Sequence, residues 1–548
     1  MPDYALPVAA GALALLAAAP SAWARLALSQ AKHRSLTGHA RMSRKVARLI
    51  RFYELGEERF FRADDAPADI AAQREAGFDR LAALYAERFP KTKALAAEMG
   101  GGLSDLQFTT AYRVPFQFSR KVREALPSGA VAVASSGVTL TDADGNQFYD
   151  LTGSFGLNLL GTDAYKAMIA EGARTVEALG PVLGTLHPVV ADNIRRLKAI
   201  SGLDEVSFHM SGTEAVMQAV QLARYHTGRA RIVRFAGAYH GWWGEVQPGV
   251  GNPTPADRTL TLADMSERSL AVLARRKDIA CVLVNPLQAM HPNGGAPGDS
   301  ALVAGRRLGG VCRATYAAWL ARLAEVARAN GIVFIIDEVF TGFRLARGGA
   351  CEYFGVQPDM VTYGKTVGGG LPIGVVCGRA ELMRRSRADR PADICFARGT
   401  FNAHPHVMGS MDAFLRHIEG PSGDALYEGL DERLRMRAET LDRRLAEHGL
   451  PLRIAALGTI WSVQFERPSR YNWMLQYYLR AQGLALSWVG TGRLIFSLAY
   501  TDDDFAEVVD RFVTAARTMA ADGWWWVADG ATDTRVRRKI LREMVRRG

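Results

Sequence analysis

The chain has 548 residues, 48% of them hydrophobic and 22% charged, a balance that builds two or three folded domains and excludes disordered, fibrous or low-complexity classes. The formal charge of +11 is concentrated at the ends: residues 25–51 hold eight Lys/Arg and no acid, residues 533–548 hold seven against two, and the rest of the chain nets −2. This distribution argues against a nucleic-acid groove across the body and for ends that meet an anionic surface.

Tyr4 to Ala24 carries no charge for 21 residues, about one bilayer core as a helix, although ten of the residues are alanine. Three readings stand: a membrane anchor, with the basic run after it predicting a cytoplasmic body; a cleaved leader, which lacks a basic start; and an Ala-rich helix packed on the body. Residues 25–105 read as a helical extension, with apolar spacing in Phe78-Leu81-Leu84-Tyr85-Phe89. Between Gly137 and Leu160 the pattern alternates around Asp144-Gly145, a hairpin signal.

From about residue 200 to 380 strands and helices alternate, which predicts a mostly parallel α/β sheet with flanking helices. Ser211-Gly212-Thr213-Glu214 opens a helix. Such a start offers backbone N–H groups to an anion, though Ser-x-x-Glu is also an ordinary capping box. The strand Arg231–Phe235 leads to Tyr239-His240-Gly241, where an aromatic at a strand end can stack on a planar group or simply pack. A buried strand from Ala280 to Val284 ends in Asn285-Pro286, and a helix around Ala314–Ala329 carries the core stripe Trp319-Leu323-Val326.

Two further strand ends carry the chemistry. The apolar run Ile332–Ile336 ends in Asp337-Glu338, and Met360–Tyr363 runs into Gly364-Lys365 and the glycines 368–370. Open α/β sheets bind ligands at the carboxyl ends of their strands. Alone, an Asp-Glu strand end is structural or metal-binding, and a lone Gly-Lys is a solvated loop. Together they suit pyridoxal phosphate: Lys365 holds the cofactor as a Schiff base, and Asp337 keeps the pyridine nitrogen protonated.

After Ile373–Cys377 comes the polar loop Arg398–Asn402, then a helix from about Val407; residues 450–499 read as a smaller α+β domain. Trp524-Trp525-Trp526 precede a basic tail. They fit either a membrane interface or a tryptophan knot against the core. Five cysteines (Cys281, Cys312, Cys351, Cys377, Cys395) without CxxC spacing predict neither disulfides nor a metal site, and favour a reducing compartment.

Over residues 137–420 the order of these motifs resembles the class-III pyridoxal-phosphate aminotransferases, and within them the glutamate-1-semialdehyde aminomutases. The resemblance implies fold type I, with a large cofactor-binding domain and a smaller α+β domain. It implies that Ser211, Gly212 and Thr213 hold the phosphate, that Tyr239 and His240 flank the ring, and that Asp337-Glu338 and Lys365 serve it. It further implies a homodimer in which Thr400 reaches the partner's phosphate. Asn285 departs from the family's Glu, as does Gly161-Thr162 from its Gly-His; Arg113 is not in the local sequence of a substrate-carboxylate arginine.

The expected domains are 1–24 (anchor), 25–105 (helical extension), 106–160 (first part of the small domain), 161–405 (large domain), 406–527 (rest of the small domain) and 528–548 (basic tail). The expected activity is amino transfer from an amine or amino acid to a carbonyl acceptor. An intramolecular aminomutase is the alternative, and a non-catalytic membrane-associated scaffold the second. The expected location is the cytoplasm, with contact to the membrane through the two ends.

Overall fold

The computed structural model describes residues 23–33, 36–127, 131–254, 257–290, 312–487 and 493–547. The uncharged stretch 4–24 lies outside them except for its last two residues. Among the described residues no helix is long and apolar enough to cross a membrane.

Three short strands come first: β1 (Ala132–Ser136), β2 (Thr139–Asp142) and β3 (Gln147–Asp150). β2 and β3 form the hairpin announced by Asp144-Gly145; the Asp142 carboxylate accepts from the N–H groups of Asp144 and Asn146, which fixes the turn.

The large sheet has seven strands: β4 (Glu205–His209), β5 (Arg231–Phe235), β6 (Thr259–Leu262), β7 (Ile279–Val284), β8 (Val333–Asp337), β9 (Met360–Gly364) and β10 (Gly374–Gly378). Their order is β4-β10-β9-β8-β7-β5-β6. All neighbours are parallel except β10, which runs antiparallel to both β4 and β9. Every residue of β7, β8, β9 and β10 is buried, which is why these strands read as unbroken apolar runs rather than alternations. Helices Gly212–Thr227 and Arg313–Ala329 bury Ala219, Val220, Trp319 and Leu323 against the sheet.

Beyond a small hairpin, β11 (Ser386–Arg387) with β12 (Arg390–Ile394), the chain builds a second sheet from β13 (Leu452–Leu457), β14 (Ile460–Phe465) and β16 (Arg493–Ile495). β15 (Leu484–Ala485) instead pairs in parallel with β3, so late and early segments share one four-stranded sheet.

The helical extension packs on this part of the molecule: Phe78, Leu81, Tyr85 and Phe89 sit in one core with Tyr471, Trp473 and Trp524. Trp524 is 0% and Trp525 4% exposed, and the Trp524 indole donates to the Tyr478 hydroxyl at 2.8 Å. The tryptophan run is a core knot, and its reading as a membrane interface is corrected: with their N–H groups satisfied inside, these rings gain more from burial than from an interface. The basic tail is a helix, Asp533–Arg547, docked through Ile540 and the buried Arg470–Glu543 ion pair at 2.8 Å.

Candidate active site

Close approaches at glycines bring the sequence motifs to one sheet edge. β4 leads through Met210 to Ser211, which caps the helix Gly212–Thr227; its hydroxyl accepts from the Glu214 N–H at 3.3 Å. The capping-box reading and the anion-site reading are compatible, because the N–H groups of Gly212 and Thr213, in the first turn, have no acceptor inside the helix. A Cβ on Gly212 would stand 2.5 Å from Val339 Cγ1, so the helix start lies against the segment that follows Asp337-Glu338. A Cβ on Gly241 (φ +91°) would stand 2.5 Å from Thr213 Oγ1, which puts Tyr239-His240-Gly241 beside the same helix start.

Asp337, at the end of β8, is 2% exposed. Its Oδ1 accepts from the Val339 N–H (3.1 Å) and the Thr362 hydroxyl (3.2 Å), and its Oδ2 pairs with His240 Nδ1 at 2.7 Å. Burial lowers the pKa of His240, with the Asp337 carboxylate pulling the other way. A neutral imidazole facing a carboxylate must carry its proton on Nδ1 and donate it. Asp337 is thus held by three donors, none of which brings a charge.

Lys365 follows β9 in a left-handed conformation, φ 50°, a geometry a non-glycine residue keeps only when its surroundings impose it. Burial lowers the pKa of its amine, the Asp337 charge raises it, and the Arg344 guanidinium lowers it. Lys365 Nζ lies 5.6 Å from the centre of the Phe340 ring, and the Arg493 guanidinium carbon lies 6.0 Å from the same ring. Arg493 begins β16 and was not anticipated from the sequence, where it precedes an ordinary apolar triplet; its place at the Phe340 ring depends on the β14–β16 pairing.

Glu338 is drawn elsewhere. Its carboxylate accepts from the N–H groups of Ala350 and Cys351, both at 2.7 Å, and from the Thr341 hydroxyl at 3.2 Å. Although burial raises its pKa against these donors, two of these bonds anchor the Gly349–Phe354 helix and the third holds Thr341, so Glu338 organises the loop after β8. Arg344, fully buried, donates to the carbonyls of Gly156, Asn158 and Phe496 and to the Thr459 hydroxyl, tying both parts of the chain around the site. Asn285 donates to the Tyr239 carbonyl at 3.2 Å and accepts from the Leu287 N–H at 3.1 Å. The Glu-to-Asn departure thus leaves a residue that fixes the backbone next to His240. Tyr239 itself is 58% exposed. Thr400 is exposed, and among the described residues no contact ties it to the helix start of its own chain.

The donor set fits pyridoxal phosphate. A buried carboxylate whose hydrogen-bond partners are all neutral suits a ring nitrogen that must stay protonated. A buried lysine beside it suits a carbonyl carbon, and a capped helix start with open N–H groups suits a phosphate.

Comparison with known proteins gives the family. The family model of class-III aminotransferases matches residues 121–246 and 306–516. The glutamate-1-semialdehyde 2,1-aminomutase of Thermomicrobium roseum is 32% identical over 423 residues, covering 72% of this chain and 91% of the relative. That of Citrifermentans bemidjiense is 32% identical over 361 residues, covering 62% and 77%. Among solved structures, a transaminase with pyridoxal phosphate bound superposes with a TM-score of 0.61 at 27% identity, covering 81% of this chain and 99% of that one. A glutamate-1-semialdehyde aminomutase from Pseudomonas aeruginosa gives 0.66 at 19% identity, covering 82% and 99%, a likeness of fold. The chain belongs to the class-III aminotransferase family, pyridoxal-phosphate-dependent enzymes of the aminotransferase and aminomutase type.

Proposed function

We propose that this enzyme moves an amino group from an amino acid, or another amine that carries a carboxylate, to a carbonyl acceptor. The observation that carries the carboxylate is Arg493, whose guanidinium shares the Phe340 ring with the Lys365 amine. A guanidinium grips a carboxylate through two parallel N–H bonds.

When bound, pyridoxal phosphate supplies the electron sink that lets a Cα–H bond of the substrate break. The chain's own part is to hold and move the proton. Burial favours the neutral form of the Lys365 amine, so Nζ can take the proton from Cα and return it to a neighbouring carbon. Asp337, fixed by Val339, Thr362 and His240, stays aimed at the ring nitrogen. Ser211, Gly212 and Thr213 bind the phosphate, and Tyr239, held through its carbonyl by Asn285, limits the ring plane.

We infer a homodimer, with Thr400 serving the partner's phosphate. Phe396, Phe401 and Trp242, which flank Thr400 and Tyr239-His240 in the sequence, are exposed and would be covered by a second copy. Sedimentation equilibrium of the purified chain tests this, and a monomer at catalytic concentrations contradicts it. The five free cysteines suit a reducing compartment such as the cytoplasm.

A second reading, the intramolecular aminomutase, is favoured by the names of the two aminomutases to which the chain is similar. Nothing in the site favours the non-catalytic scaffold. Arg493→Gln separates the two main readings when assayed with a panel of donors. Amino transfer through Arg493 predicts a KM for carboxylated donors raised about 10–100-fold, for the loss of about 1.5–3 kcal/mol of charge-assisted hydrogen bonding, with keto product released. Unchanged KM values, or amino shift without keto product, contradict it.

A further inference from the structure

Two helices at opposite ends of the sequence turn unpaired cations outward, and neither face is used by the catalytic site. On Ala40–Leu49 the exposed positions are Arg41, Met42, Lys45, Arg48 and Leu49, which fall within one third of the helix circumference. The opposite side packs: Ser43 is buried, and Arg44 donates to the carbonyls of Asn252 and Thr254. On Asp533–Arg547 the exposed positions include Arg535, Arg538, Leu541, Arg542, Val545 and Arg546, while Ile540 and Glu543 face the body.

One tether links the end of the first helix to the second. Tyr53, four residues beyond Leu49, hydrogen-bonds Glu543 in the middle of the second helix, and four residues span at most about 14 Å. The acids nearby are already engaged: Glu54 with Arg120, Asp65 with Lys539, Glu543 with Arg470, and Asp533 with Arg537. Among the described residues the side chains of Arg41, Lys45, Arg48, Arg535, Arg538, Arg542 and Arg546 make no ion pair or hydrogen bond.

We propose that these two helix faces form one docking surface for an anionic phospholipid bilayer. Charge complementarity selects an anionic partner, and the apolar side chains among the cations select the bilayer over a polynucleotide. Leu49 is 75% and Val545 70% exposed, and Met42, Phe52 and Leu541 accompany them. Long basic side chains reach headgroup phosphates while short apolar ones enter the acyl boundary beneath.

The test is sedimentation of the full-length holoenzyme with vesicles of phosphatidylcholine, with and without phosphatidylglycerol. Binding that requires phosphatidylglycerol and weakens with salt is expected. Replacing Arg535, Arg538, Arg542 and Arg546 together by Gln should weaken partitioning by roughly fivefold per cation removed, with turnover unchanged. The same four positions as Lys should restore it, and retained turnover in the Gln variant shows that the fold is intact. Equal binding to uncharged vesicles, or full binding by the Gln variant, overturns the proposal by placing attachment elsewhere. Retention on RNA without vesicle binding at the same salt overturns it in favour of a nucleic-acid surface.

Discussion

Asp337→Asn replaces one oxygen by an NH2 of nearly equal volume, so its structural effect is confined to three hydrogen bonds. The asparagine Oδ1 can keep the Val339 N–H and the Thr362 hydroxyl. Its NH2 then faces His240 Nδ1, which must become an acceptor and carry its proton on Nε2, a buried atom with no other partner. That rearrangement costs about one hydrogen bond, on the order of 1 kcal/mol. The charge costs more. Two unit charges about 4 Å apart at an effective dielectric of about 20 interact by about 4 kcal/mol, which is about three orders of magnitude in rate. The expected outcome is a folded variant that melts within a few degrees of the parent and binds pyridoxal phosphate. Its first half-reaction, followed by stopped-flow loss of the long-wavelength cofactor absorbance, should slow about a thousandfold. A rate within about tenfold of the parent would refute the assignment of Asp337 to the ring nitrogen.

Further outcomes follow from particular contacts. Gly241→Ala puts a Cβ against Thr213 Oγ1 at a backbone φ of +91°, so pyridoxal phosphate titrated into the apoenzyme should bind at least about tenfold more weakly; unchanged affinity removes Gly241 from the site. Trp524→Ala should cost about 3–5 kcal/mol in urea unfolding, whereas Trp526→Ala, at a half-buried position, should cost far less; equal small costs would contradict the knot. Asp264 is fully buried, one oxygen accepting from the Met265 N–H at 3.0 Å and the other without a partner, and burial pushes its carboxyl up to about 7. Between pH about 4 and about 7 the native state therefore binds more protons than the unfolded state, and stability falls as pH rises, by about 4 kcal/mol in all. Unfolding measured across that window should show a slope that Asp264→Asn removes; an identical slope in the variant would assign it to other groups.

The chemistry was legible wherever it sits on strand ends in consecutive motifs. Asp337 and Lys365 follow apolar runs that can only be buried strands, and the helix start at Ser211 announces itself by its cap. The reversed direction of β10 was less visible, because Ile373–Cys377 is apolar whichever way it runs. Its clue was the spacing: only residues 365–373 separate β9 from β10, fewer than the dozen that a parallel crossover needs. Long-range placements were beyond the sequence altogether. Through strand pairing Arg493 reaches the Phe340 ring that Lys365 also approaches, Thr362 reaches Asp337 across adjacent strands, and Glu338, next to Asp337, turns instead to a helix start. Trp524-Trp525-Trp526 left two readings open, of which the core knot holds. Next to a basic tail they resemble an interfacial belt, but Gly523, at φ +74°, turns the chain back after the Asp502–Ala521 helix and drives the first two rings inward.

The central claim is that Lys365 is the residue that holds the cofactor. Borohydride reduction of the pyridoxal-phosphate-loaded enzyme, followed by peptide mass mapping, tests it most directly. A phosphopyridoxyl group on Lys365 alone, absent from Lys365→Ala together with turnover, is the predicted result. The same group on another lysine, or a Lys365→Ala enzyme that still turns over, would contradict it.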